Sequence, residues 1–571
     1  MNNLARKLFL REIKKIKVQR KLSVSAKCCN NNNDFIIKSP CPDVVIPKVP
    51  LMERIWRDSA GFLNRVAIEC AETKKSYTYK QLQDCMAAFA TSLHKKLGLS
   101  PGDVVAVMVP NRPEYPVVVF GTMQAGCVAT TINPIYKEYE VTHQATLTQP
   151  KVVVTVPECY DVIVNGFKDA KVNAKIVVID NPNTPVPDGA IRYTELAEKS
   201  EADYGLLSKV VRHEDDTAVI PFSSGTTGLP KGVEISHKSM LASLEILGQE
   251  RVCYPRIATD TFQDVVPCVL PFYHVYGLII LLLGHLPQGC KMVTMNKFSA
   301  ALYLSVLKDY KASLVFAVPP IVILLSKHPD VTWDHLKHVR HLNSGAAPLA
   351  ASDVQALLEM SKGQIQIGQG YGATETNSVT TGTLIGSKAD HSATGVPLSN
   401  MELMFVHPET GKPVPIGEQG ELYIRGPTVM KGYHKNEKAT KETMTEDGFF
   451  KTGDLGYYDP NNGLYISDRI KELIKVKGLQ VAPAELEGLL RSHPAVADAA
   501  VIGIPHEFYG ETPKAFLITK PNAQVTEKEI QDFVASKVAA FKKIEEVQFV
   551  KEIPKTSSGK IMRRELKKMH A

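Results

Sequence analysis

The sequence holds no stretch of about 20 apolar residues, the length a membrane-spanning helix requires. Its best candidate, Tyr276-Gly277-Leu278 through Leu283, is broken by Gly284 and His285 and reads as a buried helix. Cysteine is absent after residue 290, and the ten cysteines show no paired metal-ligand spacing beyond the adjacent Cys28-Cys29. They read as reduced, mostly buried thiols of an intracellular protein, not as a disulfide framework or a zinc site. Acid is nearly absent from residues 1–27, where nine Lys/Arg face Glu12 alone, so this segment carries +8 and the remainder −1 of a net +7. A near-neutral body removes the main electrostatic reason to expect nucleic acid as a partner. No internal repeat is visible. The closing Met569-His570-Ala571 lacks the Ser-Lys-Leu type of peroxisomal address.

At 571 residues, with 44% apolar content, the chain is long enough for several domains and a sizeable core. The basic leader is imperfectly amphipathic. Leu4, Ala5, Leu8, Phe9, Ile13 and Ile16 share one half of a helical wheel, Arg6, Lys7, Arg11, Lys14 and Lys17 the other, and Leu10, Glu12 and Lys15 break the pattern. Basic, acid-poor and serine-containing, it suits a mitochondrial presequence. A disordered basic tail or a helix on an anionic membrane surface is the alternative, with a cytoplasmic or peroxisomal location. Asn30 to Asn33 form a low-complexity spacer, so residues 1–34 are set apart and the fold is expected from Phe35.

Strand-like runs at Val104 to Val109, Val152 to Val156 and Ile176 to Ile179 alternate with helical patterns such as Tyr79 to Leu97. This predicts an α/β class with largely parallel, layered sheets in a large N-terminal domain, residues 35–470. Between 400 and 470 the pattern changes to short strands with turns, for example Gly420 to Gly426, a small antiparallel or barrel-like unit. After Lys471 the helix candidates Pro483 to Ser492 and Thr526 to Ala540 flank the strand candidates Ala499 to Ile502 and Lys514 to Ile518. They predict a compact α+β C-terminal domain over 471–571.

The most informative segment is Ser223-Ser224-Gly225-Thr226-Thr227-Gly228-Leu229-Pro230-Lys231-Gly232, which follows the apolar run Ala218 to Phe222. Closely spaced glycines let backbone N–H groups turn toward an anion, hydroxyls donate to phosphate oxygens, and Lys231 supplies positive charge. The spacing is not that of the Walker loop. Read alone, the segment also suits a flexible surface loop.

It resembles the signature loop of the adenylate-forming superfamily, whose members include acyl-CoA synthetases, 4-coumarate:CoA ligases, beetle luciferases and peptide-synthetase adenylation domains. Further matching motifs follow in the family's order. They are Gln369-Gly370-Tyr371-Gly372-Ala373-Thr374-Glu375-Thr376, Thr452-Gly453-Asp454, Asp468-Arg469-Ile470-Lys471 through Gly478, and Pro554-Lys555-Thr556-Ser557-Ser558-Gly559-Lys560. The resemblance covers nearly everything from residue 35 onward.

The resemblance implies a two-step reaction. A carboxylate attacks the α-phosphorus of ATP to give an acyl-adenylate and pyrophosphate; coenzyme A then forms the thioester and releases AMP. An ionised carboxylic acid needs no general base, only alignment and charge neutralisation. The carry-over makes Lys560 the catalytic cation. Ser223, Ser224, Gly225, Thr226, Thr227, Gly228 and Lys231 would hold phosphates, and Thr374 the α-phosphate. Gln369, Gly370, Tyr371 and Gly372 would form the adenine side, with Tyr371 stacking on the base. Asp454 would bind the ribose with Arg469 in support, and Glu375 would ligate Mg²⁺. Lys471 is the implied hinge of a mobile small domain. Lys475, Lys477, Gly478 and Gln480 would meet coenzyme A in a second orientation. Tyr273, His274, Asn343, Gly345, Gly372, Ser378 and Val379 would line the acyl pocket, with His274 positioning the carboxylate or gating. A His in an apolar run is otherwise commonly a satisfied core residue.

The branch it resembles most is 4-coumarate:CoA ligase with its luciferase-like relatives, through Lys471 to Glu487, Asn343 to Leu349 and Gly510-Glu511-Thr512-Pro513. Plant coumarate ligases tend to carry Ala-Gly-Pro after the Thr-Glu pair, whereas this chain has Thr376-Asn377-Ser378. A medium or long fatty acid is therefore an alternative substrate, and a luciferase-like adenylating monooxygenase an alternative activity. No carrier domain follows Lys560, which disfavours a peptide-synthetase module.

Overall fold

The computed structural model describes residues 35–180, 186–223, 230–347, 349, 351–387, 390–476, 479–506, 509–556 and 559–570. The basic leader, loop residues Ser224, Gly225, Thr226, Thr227 and Gly228, and the coenzyme A candidates Lys477 and Gly478 lie outside the described residues.

The Val-rich runs form the centre of a nine-stranded sheet. Thr217–Ile220, Val128–Thr131, Val104–Met108, Val152–Thr155, Lys175–Val178 and Ile191–Arg192 lie side by side in that order, all parallel. They read as continuous apolar runs because helices cover both faces. One of these helices, Tyr79–Lys95, begins in a capping box between Thr78 and Gln81 and buries Leu82, Met86, Phe89 and Leu93, the spacing of a single helical face. The apolar run expected as one strand over Ala218 to Phe222 is split at Pro221 into Thr217–Ile220 and Phe222–Ser223, since proline brings no N–H to a ladder. Phe222–Ser223 turns back on Lys231–Ser236 as an antiparallel hairpin.

A second sheet pairs Val265–Cys268, Lys291–Thr294 and Val66–Cys70 in parallel. A third pairs Leu314–Ala317, His341–Ser344 and Gln366–Tyr371 in parallel and continues antiparallel through Thr381–Gly382. The unit of short strands over 400–470 is a five-stranded antiparallel sheet of Ile37–Lys38, Glu402–Val406, Gly420–Arg425, Phe450–Asp459 and Gly463–Arg469. Its first strand comes from the beginning of the described chain. Beside it, Asn400 Oδ1 accepts the Val44 N–H (2.9 Å) and Asp43 Oδ1 accepts the Asn400 N–H (3.1 Å).

Beyond the turn Ile470–Glu472 a separate sheet is built from Ile474–Val476, Leu479–Val481, Val496–His506, Gly510–Thr519 and Glu546–Phe549. Alternation places Ala499, Val501, Ala515 and Leu517 in one apolar cluster and Ala500, Ile502, Ile504 and Phe516 in another, so both faces are covered. Helices Pro483–Arg491 and Glu527–Ala535 pack on the first face and Arg563–His570 on the second. The helix expected to run to Ala540 stops at Ala535 because the chain turns there to pack Val538 and Phe541 on the same cluster. These clusters are distinct from the large core, which runs from Ile37 to Leu464.

Candidate active site

The third sheet ends its parallel strands at Ala317, Ser344 and Tyr371, side by side. Carboxyl ends of parallel strands are where open α/β sheets bind ligands, and a cavity opens there. Gly345, Gly370 and Gly372 form its floor. A Cβ on Gly372 would fall 2.1 Å from the Ser378 carbonyl oxygen, so only glycine lets the strand end approach the following turn. That turn places Asn377 and Ser378 in left-handed conformation, φ +51° and +71°. The Asn377 amide holds it by donating to Ser239 O (3.1 Å) and Ser243 Oγ (2.8 Å). Ser378 and Val379 thereby reach the cavity wall.

His274 enters from the opposite side, just before the helix Tyr276–Leu283. The Tyr276 N–H donates to its Nδ1 at 3.2 Å. A ring nitrogen that accepts carries no proton, so the proton sits on Nε2. Burial, with the Lys560 charge as a second cause, brings the imidazole pKa down to about 3. His274 is thus a neutral donor near pH 7.

Among the described residues Lys560 is the only cation on the cavity lining, and it comes from the C-terminal domain. Its turn is closed by Gly559 N–H to Thr556 O (2.8 Å), Thr556 N–H to Lys560 O (2.8 Å) and Lys560 N–H to Thr556 Oγ1 (3.1 Å). Gly559 has φ +79°, and a Cβ there would lie 3.0 Å from Pro320, at the start of helix Pro319–Lys327 in the large domain. Burial, and then the Arg469 charge, hold the Lys560 ammonium below its ordinary pKa; Asp454, Glu375 and Glu472 act against them. A second contact joins the two domains, from the Ala484 N–H in helix Pro483–Arg491 to Asp468 Oδ2 at 2.8 Å.

Tyr371 donates its hydroxyl to Asp454 Oδ2, and Arg469 Nε lies 3.3 Å from Asp454 Oδ1. Burial pushes the Asp454 carboxyl up, against the pull of Arg469, Tyr371 and Lys560. The hairpin Phe222–Ser223 with Lys231–Ser236 is tied to this region through Tyr433. Its Lys231 Nζ sits 4.7 Å over the Tyr433 ring, and the Tyr433 hydroxyl donates to Glu375 Oε1 at 3.0 Å. One chain of contacts therefore links the loop lysine to the carboxylate beside Thr374. Ser223, at the loop's start, has a buried hydroxyl without a hydrogen-bond partner among the described residues.

Of the residues singled out in the sequence, His274, Asn343, Gly345, Gly370, Tyr371, Gly372, Thr374, Ser378, Val379 and Lys560 line the cavity, and Asp454, Arg469 and Glu375 adjoin it. Tyr273 does not line it; Tyr276 does, because the helix begins there and turns that ring inward. Gln369 is also off the lining, its side-chain amide donating to the His391 carbonyl. Lys475 is exposed away from the cavity, its N–H donating to Glu511 Oε2 (2.8 Å), and Gln480 lies on the paired strand Leu479–Val481. Lys471 lies on the turn Ile470–Glu472. Sequence reading missed Tyr254, Ile280, His285 and Phe316 on the lining. The only signal for His285 was that it interrupts an apolar run.

The AMP-binding enzyme family matches residues 55–434, and the AMP-binding enzyme C-terminal domain matches 485–560. The chain is 37% identical over 543 residues to 4-coumarate–CoA ligase 2 of Nicotiana tabacum, covering 94% of this chain and 97% of that one. Among solved structures it resembles ATP-bound MatB from Rhodopseudomonas palustris, with a TM-score of 0.80, 28% identity and coverage of 91% and 98%. It also resembles an anthranilate CoA ligase in complex with anthranoyl-AMP, with a TM-score of 0.82, 25% identity and coverage of 92% and 98%.

Proposed function

This chain belongs to the AMP-binding enzyme family, and from that premise we propose how its residues divide the chemistry of an ATP-dependent acid:CoA ligase of the 4-coumarate:CoA ligase-like kind. The observation that carries the proposal is the presence of Lys560, brought by the small domain, in a cavity that also holds His274 and Thr374.

The acid would bind with its carboxylate toward two donors, the Lys560 ammonium and His274 Nε2–H. A carboxylate oxygen attacks the α-phosphorus of ATP, the bond to pyrophosphate breaks, and an acyl-adenylate forms. Lys560 bridges the incoming carboxylate and the α-phosphate, so charge that accumulates in the transition state meets a fixed cation in a partly dehydrated site. Asp454 accepts from the ribose hydroxyls, with Arg469 holding its second oxygen, and Lys231 faces the outer phosphates. The thiolate of coenzyme A then attacks the acyl carbon and AMP leaves.

Glu375 fits a magnesium ion that arrives on the triphosphate. The described residues contain no cluster of three acidic, His or Cys side chains able to cage a metal, whereas magnesium typically takes one or two carboxylates plus phosphate oxygens and water. Bound there, it would neutralise phosphate charge; Glu375→Gln should raise the magnesium concentration needed for half-maximal rate.

A panel assay with ATP, Mg²⁺ and coenzyme A, scanning cinnamates and C6 to C18 fatty acids for AMP and acyl-CoA, tests the reading and names the acid. Pyrophosphate release without a CoA ester would overturn it in favour of an adenylating oxygenase. From the charge of residues 1–27 alone we also propose mitochondrial import; a fluorescent reporter fused to residues 1–34 that stays in the cytosol would refute this.

A further inference from the structure

The proposed chemistry leaves one buried histidine of the cavity without a role. His285 follows the helix Tyr276–Leu283, is 2% exposed and lines the cavity. Its Nδ1 lies 2.7 Å from Ile280 O and 3.1 Å from Leu281 O. Carbonyl oxygens only accept, so the proton is on Nδ1, and Nε2 keeps a lone pair on the opposite edge of the ring. Burial brings the pKa down to about 4, which keeps the ring neutral. Nε2 is buried and has no hydrogen-bond partner among the described residues. Buried polar atoms are nearly always paired, and an exception calls for a ligand or water to complete it.

The surroundings say what kind of ligand. The His285 ring packs edge-on against Phe316 at 4.8 Å between centroids, and Phe316 lies 6.5 Å from Tyr254. Phe316 is opposite Asn343 on the neighbouring parallel strand, so both side chains leave the same face of the sheet. Asn343 Oδ1 is a second buried acceptor without a partner among the described residues. The Tyr254 hydroxyl is not free to meet either, since it donates to Thr383 O at 2.7 Å. Ser344, the next residue on the strand, turns its side chain to the opposite face. This part of the wall is aromatic and short of hydrogen atoms to accept.

We infer that His285 is a specificity-determining residue of the acyl pocket, its Nε2 accepting a hydrogen bond from a hydroxyl or amino group on the body of the acid, away from the carboxylate. The inference rests on the ligase reading. An acid with only methylenes or unsubstituted ring edges at that place leaves Nε2 buried and unpaired, and sites built to bond a substrate hydroxyl discriminate strongly against its deoxy analogue.

The test measures kcat/KM for CoA-ester formation with paired acids that differ by one hydroxyl. The pairs are cinnamate against its 3- and 4-hydroxy forms, and decanoate against 10-hydroxydecanoate. Wild type, His285→Leu and His285→Gln are compared. The wild type should favour the hydroxylated member of at least one pair by about 10- to 100-fold. His285→Leu should lose that preference, and His285→Gln, with an amide oxygen in place of Nε2, should regain part of it. No preference in the wild type, an unchanged preference in His285→Leu, or equal loss on both members of every pair would overturn the assignment while leaving the ligase intact. Absence of a CoA ester from every acid would overturn the ligase reading together with it.

Discussion

His274 and His285 face one cavity as opposite tautomers. His274 accepts the Tyr276 N–H on Nδ1 and so presents Nε2–H, whereas His285 donates from Nδ1 to its own helix and presents a bare Nε2. Both rings stay neutral, because burial lowers their pKa values to about 3 and about 4. The backbone around each ring thereby decides which of its nitrogens carries the proton. On the assignment proposed for His285, an acid with its carboxylate at His274 and a hydrogen-bond donor at His285 matches that pair.

Lys560→Ala should reduce acyl-adenylate formation by about 100-fold or more, the scale seen when one preorganised charge partner is removed from a transition state. Transfer from a supplied acyl-adenylate to coenzyme A should fall by less than about fivefold. Pyrophosphate release and thioester formation, measured separately, check this; equal loss in both would remove Lys560 from the first step.

Gly559→Ala tests how the lysine is delivered. The substitution forces a side chain into positive φ and against Pro320, at a cost of about 1–3 kcal/mol for the backbone alone. Adenylation should fall roughly tenfold with little change in Tm, because the strain sits at the docking contact and not in either core. A drop in Tm with unchanged adenylation would show that the contact serves only stability.

Asp454→Asn should raise the KM for ATP by about 10- to 100-fold, since it removes the anion between Tyr371 and Arg469. Tyr371→Phe should have a much smaller effect on KM. It removes only one neutral donor to a carboxylate that Arg469 still holds. Steady-state kinetics at saturating acid and coenzyme A separate the two.

Stability should decrease on acidification below pH 6.5. Burial lowers His237, His285 and His341 to about 4 and His274 to about 3. Between about pH 4 and 6.5 the unfolded chain therefore binds protons that the folded chain does not, and each such group contributes about 1.4 kcal/mol per pH unit. Asp468, Asp454 and Glu421 act in the opposite sense. Burial raises Asp468 to about 6 and the other two above their ordinary values, so on acidification the folded state holds protons the unfolded state releases. Four groups outweigh three, and Tm at pH 5 should be lower than Tm at pH 7.5. A flat profile in thermal unfolding from pH 8 to 4.5 would refute the balance.

Much of this was legible in the residues, for physical reasons. Val104–Met108 and Val152–Thr155 are buried on both faces, so their identity as strands is written in a short Val-rich run. Lys560 and Asp454 belong to short segments whose composition is tied to a turn. Tyr254 and Phe316 carry no such local mark, because they meet only through packing of a loop over the third sheet. The exchange of Tyr273 for Tyr276 is a matter of where a helix starts, and three residues move a ring from one side of the chain to the other. The exposed Lys475 depends on how the small domain is turned, which no local pattern of residues encodes.

Among the described residues the strand Ile37–Lys38 pairs only with Glu402–Val406, and this has a consequence for synthesis. At about 5–20 residues per second, roughly 20–70 s separate the emergence of the two strands from the ribosome. The antiparallel unit cannot close in that interval. The six parallel strands centred on Val104–Met108 are complete by Ile220, so they can pair while the front of the chain still waits for its partner. Whatever engages the N-terminal end in the cell has tens of seconds in which to find it unpaired.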